Sequence, residues 1–142
     1  MRLFIFIFSL TIVHFANGQN SDSSKVRFDG LYQTKAYIDK QDNDTTYSYL
    51  RFYPDGKIIN VTSEGTAFDI KEWFNLNMKN PSVGSYKIRG KRLDFSTTSG
   101  AGTVVYKGKI KDKHLLLVKS KSLINGYKDK EKYYFIVVPD MK

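Results

Sequence analysis

Apolar and polar residues alternate along most of this chain, and that period of two predicts β-strands whose faces meet different surroundings. Tyr32, Thr34, Ala36 and Ile38 share one face of a first strand, opposite Gln33, Lys35 and Asp39. Ser48, Leu50 and Phe52 alternate with Tyr47, Tyr49, Arg51 and Tyr53 in a second. Tyr53-Pro54-Asp55-Gly56 reads as a tight turn, since proline presets φ and glycine accepts a positive φ. Lys57 to Ser63 then returns as a third strand, with Ile59 and Val61 on one side.

The period changes between Gly65 and Asn77. Thr66 with Asp69 three residues on resembles a capping box. Ala67, Ile70, Trp73 and Phe74 recur at helical spacing. These predict a helix of two to three turns, ended by Asn80-Pro81. Alternation resumes with Tyr86 and Ile88, then Leu93, Phe95 and Thr97 after a Gly90-Lys91 turn. Val104, Tyr106, Gly108 and Ile110 then alternate with Val105, Lys107 and Lys109, and Leu115 and Leu117 share one face of a seventh strand, His114 to Ser120. Lys121 to Lys130 reads as a charged loop, and Tyr133 to Val138 as the last strand. The sum is an all-β chain of eight antiparallel strands in a meander, with one short helix inserted between strands 3 and 4. Eight such strands can close into a barrel, which removes exposed edges. An incompletely closed barrel and a two-sheet sandwich satisfy the same pattern.

The first residues set the compartment. Met1-Arg2 is a charged start, Leu3 to Val13 is apolar apart from Ser9 and Thr11, and Ala16-Asn17-Gly18 supplies small residues for cleavage. This is the layout of a signal peptide over residues 1–18. An apolar run this short does not span a hydrocarbon core, which takes roughly 20 residues as a helix. Removing it leaves 124 of 142 residues, with 22 Lys and Arg against 14 Asp and Glu. Residues 19–27 read as a disordered polar leader and 28–139 as one folded domain. The expected location is secreted or periplasmic, with no transmembrane segment. The chain has no cysteine, which excludes disulfides, thiol catalysis and Cys-ligated zinc.

Gly30-Leu31-Tyr32, the Tyr49 to Ile58 hairpin, Gly84-Ser85-Tyr86-Lys87-Ile88, Leu93-Asp94-Phe95, Tyr106 to Ile110 and Leu115-Leu116-Leu117 form a series. Together they resemble the small lipocalin-like domains of exported proteins from Bacteroidetes-type bacteria, over roughly residues 28–138. The resemblance implies a lipocalin-like β-barrel rather than an activity.

Little in the sequence carries catalysis. After cleavage one histidine remains, His114, beside a turn, so neither a nucleophile–base pair nor His-ligated zinc can be built. Asp39, Asp42 and Asp44 cluster in a polar turn without EF-hand spacing. No enzyme activity, cofactor or metal is expected. Two features remain. Inward aromatics, Tyr32, Phe52, Tyr86, Phe95, Tyr106 and Phe135, would either fill the interior or line a cavity for a small hydrophobic ligand, with Trp73 and Phe74 gating its mouth. Alternating lysines from Lys107 to Lys132 would either keep a sheet soluble and blunt its edges or bind an anionic partner. Export makes nucleic acid the least expected of such partners. The expected function is an exported, non-enzymatic barrel that binds a small hydrophobic molecule. The alternative is an inhibitor or envelope-associated module acting through the lysine face.

Overall fold

A computed structural model describes residues 25–79 and 82–141. The expected signal peptide, most of the leader and Asn80-Pro81 lie outside the described residues. Nine strands follow in order: β1 (Gly30–Gln33), β2 (Tyr37–Ile38), β3 (Thr45–Phe52), β4 (Lys57–Ser63), β5 (Val83–Arg89), β6 (Arg92–Ser99), β7 (Gly102–Asp112), β8 (Leu115–Ser122) and β9 (Lys128–Val137). Each strand from β3 to β8 pairs antiparallel with the next. β1 pairs on both sides, with Tyr32 opposite Leu50 of β3 and opposite Phe135 of β9. That double pairing closes an eight-stranded barrel and excludes the open and sandwich forms. The all-β fold is thus as expected, and it is consistent with a lipocalin-like barrel.

The expected first strand is broken in two. At Thr34 the side-chain oxygen accepts from Ser48 N (3.0 Å), while Thr34 N donates to Ser48 O (3.0 Å). The hydroxyl thus replaces a ladder bond, and β2 resumes on β3 beyond the ring, with Tyr37 opposite Thr46. Close approach also dictates two glycines. A Cβ at Gly30 would collide with the Ile136 carbonyl, and one at Gly84 with that of Ser96.

The barrel has two cores. Inside lie Tyr32, Leu50, Phe52, Ile58, Tyr86, Ile88, Leu93, Phe95, Tyr106, Ile110, Leu116, Val118 and Tyr133. Phe52 is their hub, in edge-on contact with Tyr32 (5.5 Å), Tyr86 (5.0 Å) and Phe95 (6.2 Å), while Phe95 stacks on Tyr106 at 4.3 Å. On β8 the inward pair is Leu116 and Val118, and Leu115 and Leu117 share the opposite face. The lower end is plugged by the chain just before β1. Val26 is 4% exposed within the inner core, Arg27 N donates to Tyr32 Oη (3.0 Å), and Tyr32 Oη donates to Lys113 O (2.8 Å).

The second core lies on the outer wall. Leu31, Tyr49, Tyr53, Ile59, Val61 and Val138 alternate with inward residues and are covered by Ala67, Ile70 and Phe74. The β4–β5 connection is therefore a strap across the outside, not a helix over the mouth. The capping box forms, with Thr66 N and Oγ1 donating to Asp69 Oδ2 (2.9 and 2.6 Å). Only a single 3-10 turn, Lys71–Phe74, follows. Isolated short helices are marginal, and here packing decides. Tyr49 Oη donates to Gly65 O (2.8 Å) at one end of the strap. At the other, Arg51 Nη1 (2.7 Å) and Tyr53 Oη both donate to Phe74 O. The tighter turn brings that carbonyl down onto the wall.

Phe74 is fully buried and Trp73, its neighbour, is 48% exposed. Phe74→Ala should therefore cost about 3–5 kcal/mol, as large-to-small core changes do, and Trp73→Ala far less. Urea unfolding of both variants checks this, and equal losses would contradict the strap packing.

Candidate functional site

The inward positions change character toward the upper end of the barrel. Going up β3, Phe52 and Leu50 give way to Ser48 and Thr46; on β4, Ile58 gives way to Asn60 and Thr62. On β8, Leu116 and Val118 give way to Ser120, and on β9 Tyr133 is preceded by Glu131 and Asp129. Apolar filling therefore stops partway, and a cavity of about 320 Å³ opens above it.

The buried rings of Tyr106 and Tyr133 form its deep end. The walls carry the hydroxyls of Thr34, Ser48, Thr62 and Ser120 with the Asn60 amide. Tyr37 and Tyr127 stand at the rim, 66% and 65% exposed. No Leu, Ile, Val, Phe or Met lines the cavity. Its polar groups are partly pre-arranged. Ser48 and Thr62, opposite each other on β3 and β4, have their hydroxyls 2.9 Å apart. Asn60 Nδ2 donates to Tyr49 O (3.2 Å), while its Oδ1 accepts from Tyr106 Oη (3.4 Å).

Two carboxylates face the cavity from one strand. Burial, and then the neighbouring Asp129 charge, push the Glu131 carboxyl above its usual range. Burial also pushes the Tyr106 and Tyr133 hydroxyls up, so both are neutral donors at ordinary pH. The site thus offers hydroxyl donors and acceptors on all sides and negative charge on one.

Of the seven aromatics expected to line a ligand site, six share one cluster: Tyr32, Phe52, Tyr86, Phe95, Tyr106 and Phe135. They pack on each other, and of them Tyr106 alone borders the cavity. Trp73 sits apart on the strap, and Phe74 belongs to the outer core, so neither gates the mouth. Sequence reasoning missed Ser48, Thr62, Ser120, Asp129 and Glu131. Lys121 to Lys130 reads as a charged loop, yet Lys121 and Ser122 end β8, and Lys128 to Lys132, five charged residues in a row, form the first half of β9. The usable signal was strand phase. Counting back by two from Tyr133 puts Glu131 and Asp129 on the inward face.

The outer wall on the other side is basic. Across β5 to β9, one row runs Lys87, Asp94, Lys107, Lys119, Lys130. The next runs Arg89, Arg92, Lys109, Leu117, Lys132, and on the other flank Val105 precedes Lys121 and Lys128. Asp94 bonds Arg92 (2.8 Å) and Arg89 (3.1 Å). Burial opposes its ionisation, but those two guanidiniums hold its carboxyl below the usual range.

Compared with known protein families, curated proteins and solved structures, the chain matches none. Among the described residues no helix is long and apolar enough to cross a membrane, and no cluster of His, Cys, Asp or Glu is arranged to hold a metal.

A carboxyl whose pKa rises on folding favours the fold when protonated. Its contribution is present below the unfolded pKa and is lost as pH rises through the folded one. Glu131→Gln should therefore raise the melting temperature relative to wild type more at pH 7 than at pH 4. Thermal melts at both values test this, and a pH-independent difference would refute it.

Proposed function

We propose that this protein is an exported, non-enzymatic binding barrel whose upper cavity takes a small hydroxyl-rich molecule, of the size and chemistry of a sugar ring. The observation that carries this reading is the lining. Hydroxyls, an amide and two carboxylates surround the opening, while the apolar side chains are spent on one another below it. A hydrophobic ligand would take water from the Asp129 and Glu131 carboxylates and from the unused donors and acceptors of the hydroxyls, at a cost of about 1–3 kcal/mol for each group left unsatisfied. A polyol replaces their water with hydrogen bonds of the same kind. Asp129 and Glu131 accept from ligand hydroxyls, and the tyrosine and threonine hydroxyls both donate and accept. Tyr37 and Tyr127 at the rim present ring faces against which the C–H face of a sugar packs.

Export rests on the residue pattern of the first 18 positions. The titratable groups that line the cavity are the Asp129 and Glu131 carboxylates, a rim lysine, Lys35, and four tyrosines, Tyr37, Tyr106, Tyr127 and Tyr133.

The test is NMR titration of the mature protein with a panel of monosaccharides and polyols, beside a panel of fatty acids and sterols. Sugars should shift the amides of Ser48, Thr62, Ser120 and Glu131. Thr62→Phe, which fills the cavity, should weaken binding by about tenfold or more, and Trp73→Ala should leave it unchanged. Saturable shifts from the apolar panel with none from the sugars would overturn the reading.

A further inference from the structure

The basic wall has a property that solubility does not require. Lys107, Lys119 and Lys130 lie directly opposite one another on three adjacent strands, as do Lys121 and Lys128, and Arg92 and Lys109. Adjacent strands are about 4.8 Å apart. Like charges held directly opposite destabilise a sheet. Among the described residues no carboxylate forms an ion pair with any of these lysines. Edge protection does not explain them either, because in a closed barrel β7 and β8 are paired on both sides and have no edge to guard. Nor is the charge spread evenly. Of the ten exposed acids among the described residues, six (Asp42, Asp44, Asp55, Glu64, Asp69 and Glu72) belong to the segment from β2 to the strap. A wall whose three rows hold a single acid, Asp94, and whose opposed lysines cost stability is the arrangement expected of a surface that meets the opposite sign.

The shape of the wall selects among anions. A shallow trough of about 340 Å³ crosses β6 to β9, lined by half-buried Gly108 and Leu117 between Arg92, Lys107, Lys119 and Lys130. The floor is thus aliphatic and the walls are cationic. None of the outward positions in the three rows is aromatic, so the wall lacks the stacking platform that single-stranded nucleic acid uses. A barrel wall is convex, so a flat bilayer would meet only its crest, whereas a linear chain can follow a row around it. Lysines dominate over arginines, which suits diffuse, salt-sensitive attraction better than bidentate recognition of single groups.

We propose that the outer wall of β6–β9 docks a linear acidic polysaccharide, a chain of sugars bearing carboxylate or sulfate groups. The chain lies across the strands along the trough. Its charges meet the rows of Lys107, Lys119 and Lys130, and the C–H faces of its rings rest on Gly108 and Leu117. This surface is separate from the cavity and does not depend on what the cavity binds.

The experiment is fluorescence anisotropy of the mature protein with labelled fragments of heparin and of polygalacturonate, as salt is raised. Binding should weaken steeply with salt. Replacing Lys107, Lys119 and Lys130 together by Ser should cut affinity by about tenfold or more and flatten the salt slope by about one unit for each lysine removed. The same variant should melt at the same or a higher temperature than wild type, since the opposed charges are gone. A control lacking Lys40, Lys57 and Lys79 should bind within about twofold of wild type. Thr62→Phe should leave polymer binding intact, so a failed cavity and a failed wall are told apart. No binding at low salt would overturn the proposal, as would an equal loss in the control. So would tighter binding of single-stranded DNA or phosphatidylglycerol vesicles through the same lysines.

Discussion

The structure depends on one short strand that must satisfy two neighbours at once. Gly30–Gln33 supplies four residues, all of which pair with β9, while Tyr32 and Gln33 also pair with β3. Without that double pairing the sheet would have two free edges and its apolar face would lie open. With it, Tyr32 is carried to the centre of the barrel, where it meets Phe52 and Phe135. The absence of a side chain at Gly30 lets β9 come close enough to close the ring. The plug at Val26 follows as well, since it is held by the hydroxyl of that same tyrosine.

Closure then divides the molecule into walls with different work. The wall of β1, β3, β4 and the end of β9 is buried on both faces, inside by the aromatic core and outside by the strap. The opposite wall is buried on one face and highly charged on the other. Along the barrel axis there is a second division, between an apolar lower half and a hydroxyl-lined upper half. The candidate sites fall where packing is incomplete: the mouth, where inward residues turn polar, and the wall the strap leaves bare.

The strands that alternate apolar and polar residues were legible in the sequence. The Tyr86–Phe95 region follows its pattern because one face there is in the core and the other in water; the Tyr49 to Ile58 hairpin is legible from its turn, although both of its faces are buried. Legibility failed where both faces share a character. Leu115, Leu116 and Leu117 are all apolar, so phase could not be read, and only the pairing of Leu116 with Tyr133 settles which one points in. Lys128 to Lys132 are all charged, and a strand with no apolar residue resembles a loop. The strap failed for another reason. Its helical spacing is genuine, but a contact far along the chain, from Arg51 and Tyr53, takes the carbonyl of Phe74 and tightens the turn. The polar cavity was hidden because polar residues are normally read as facing outward.

The strap has a consequence for how the molecule moves. A strand covered on both faces can expose its amides only if the barrel and the strap come apart together. A strand covered on one face needs only the barrel to part. The amides of β3 and β4 belong to the first kind and those of β7 and β8 to the second, where stacked lysines already push neighbouring strands apart. Hydrogen exchange will therefore divide the barrel by wall rather than by strand length, with a slow, rigid back and a faster front. A chain of opposite charge laid over that front would slow it toward the pace of the back.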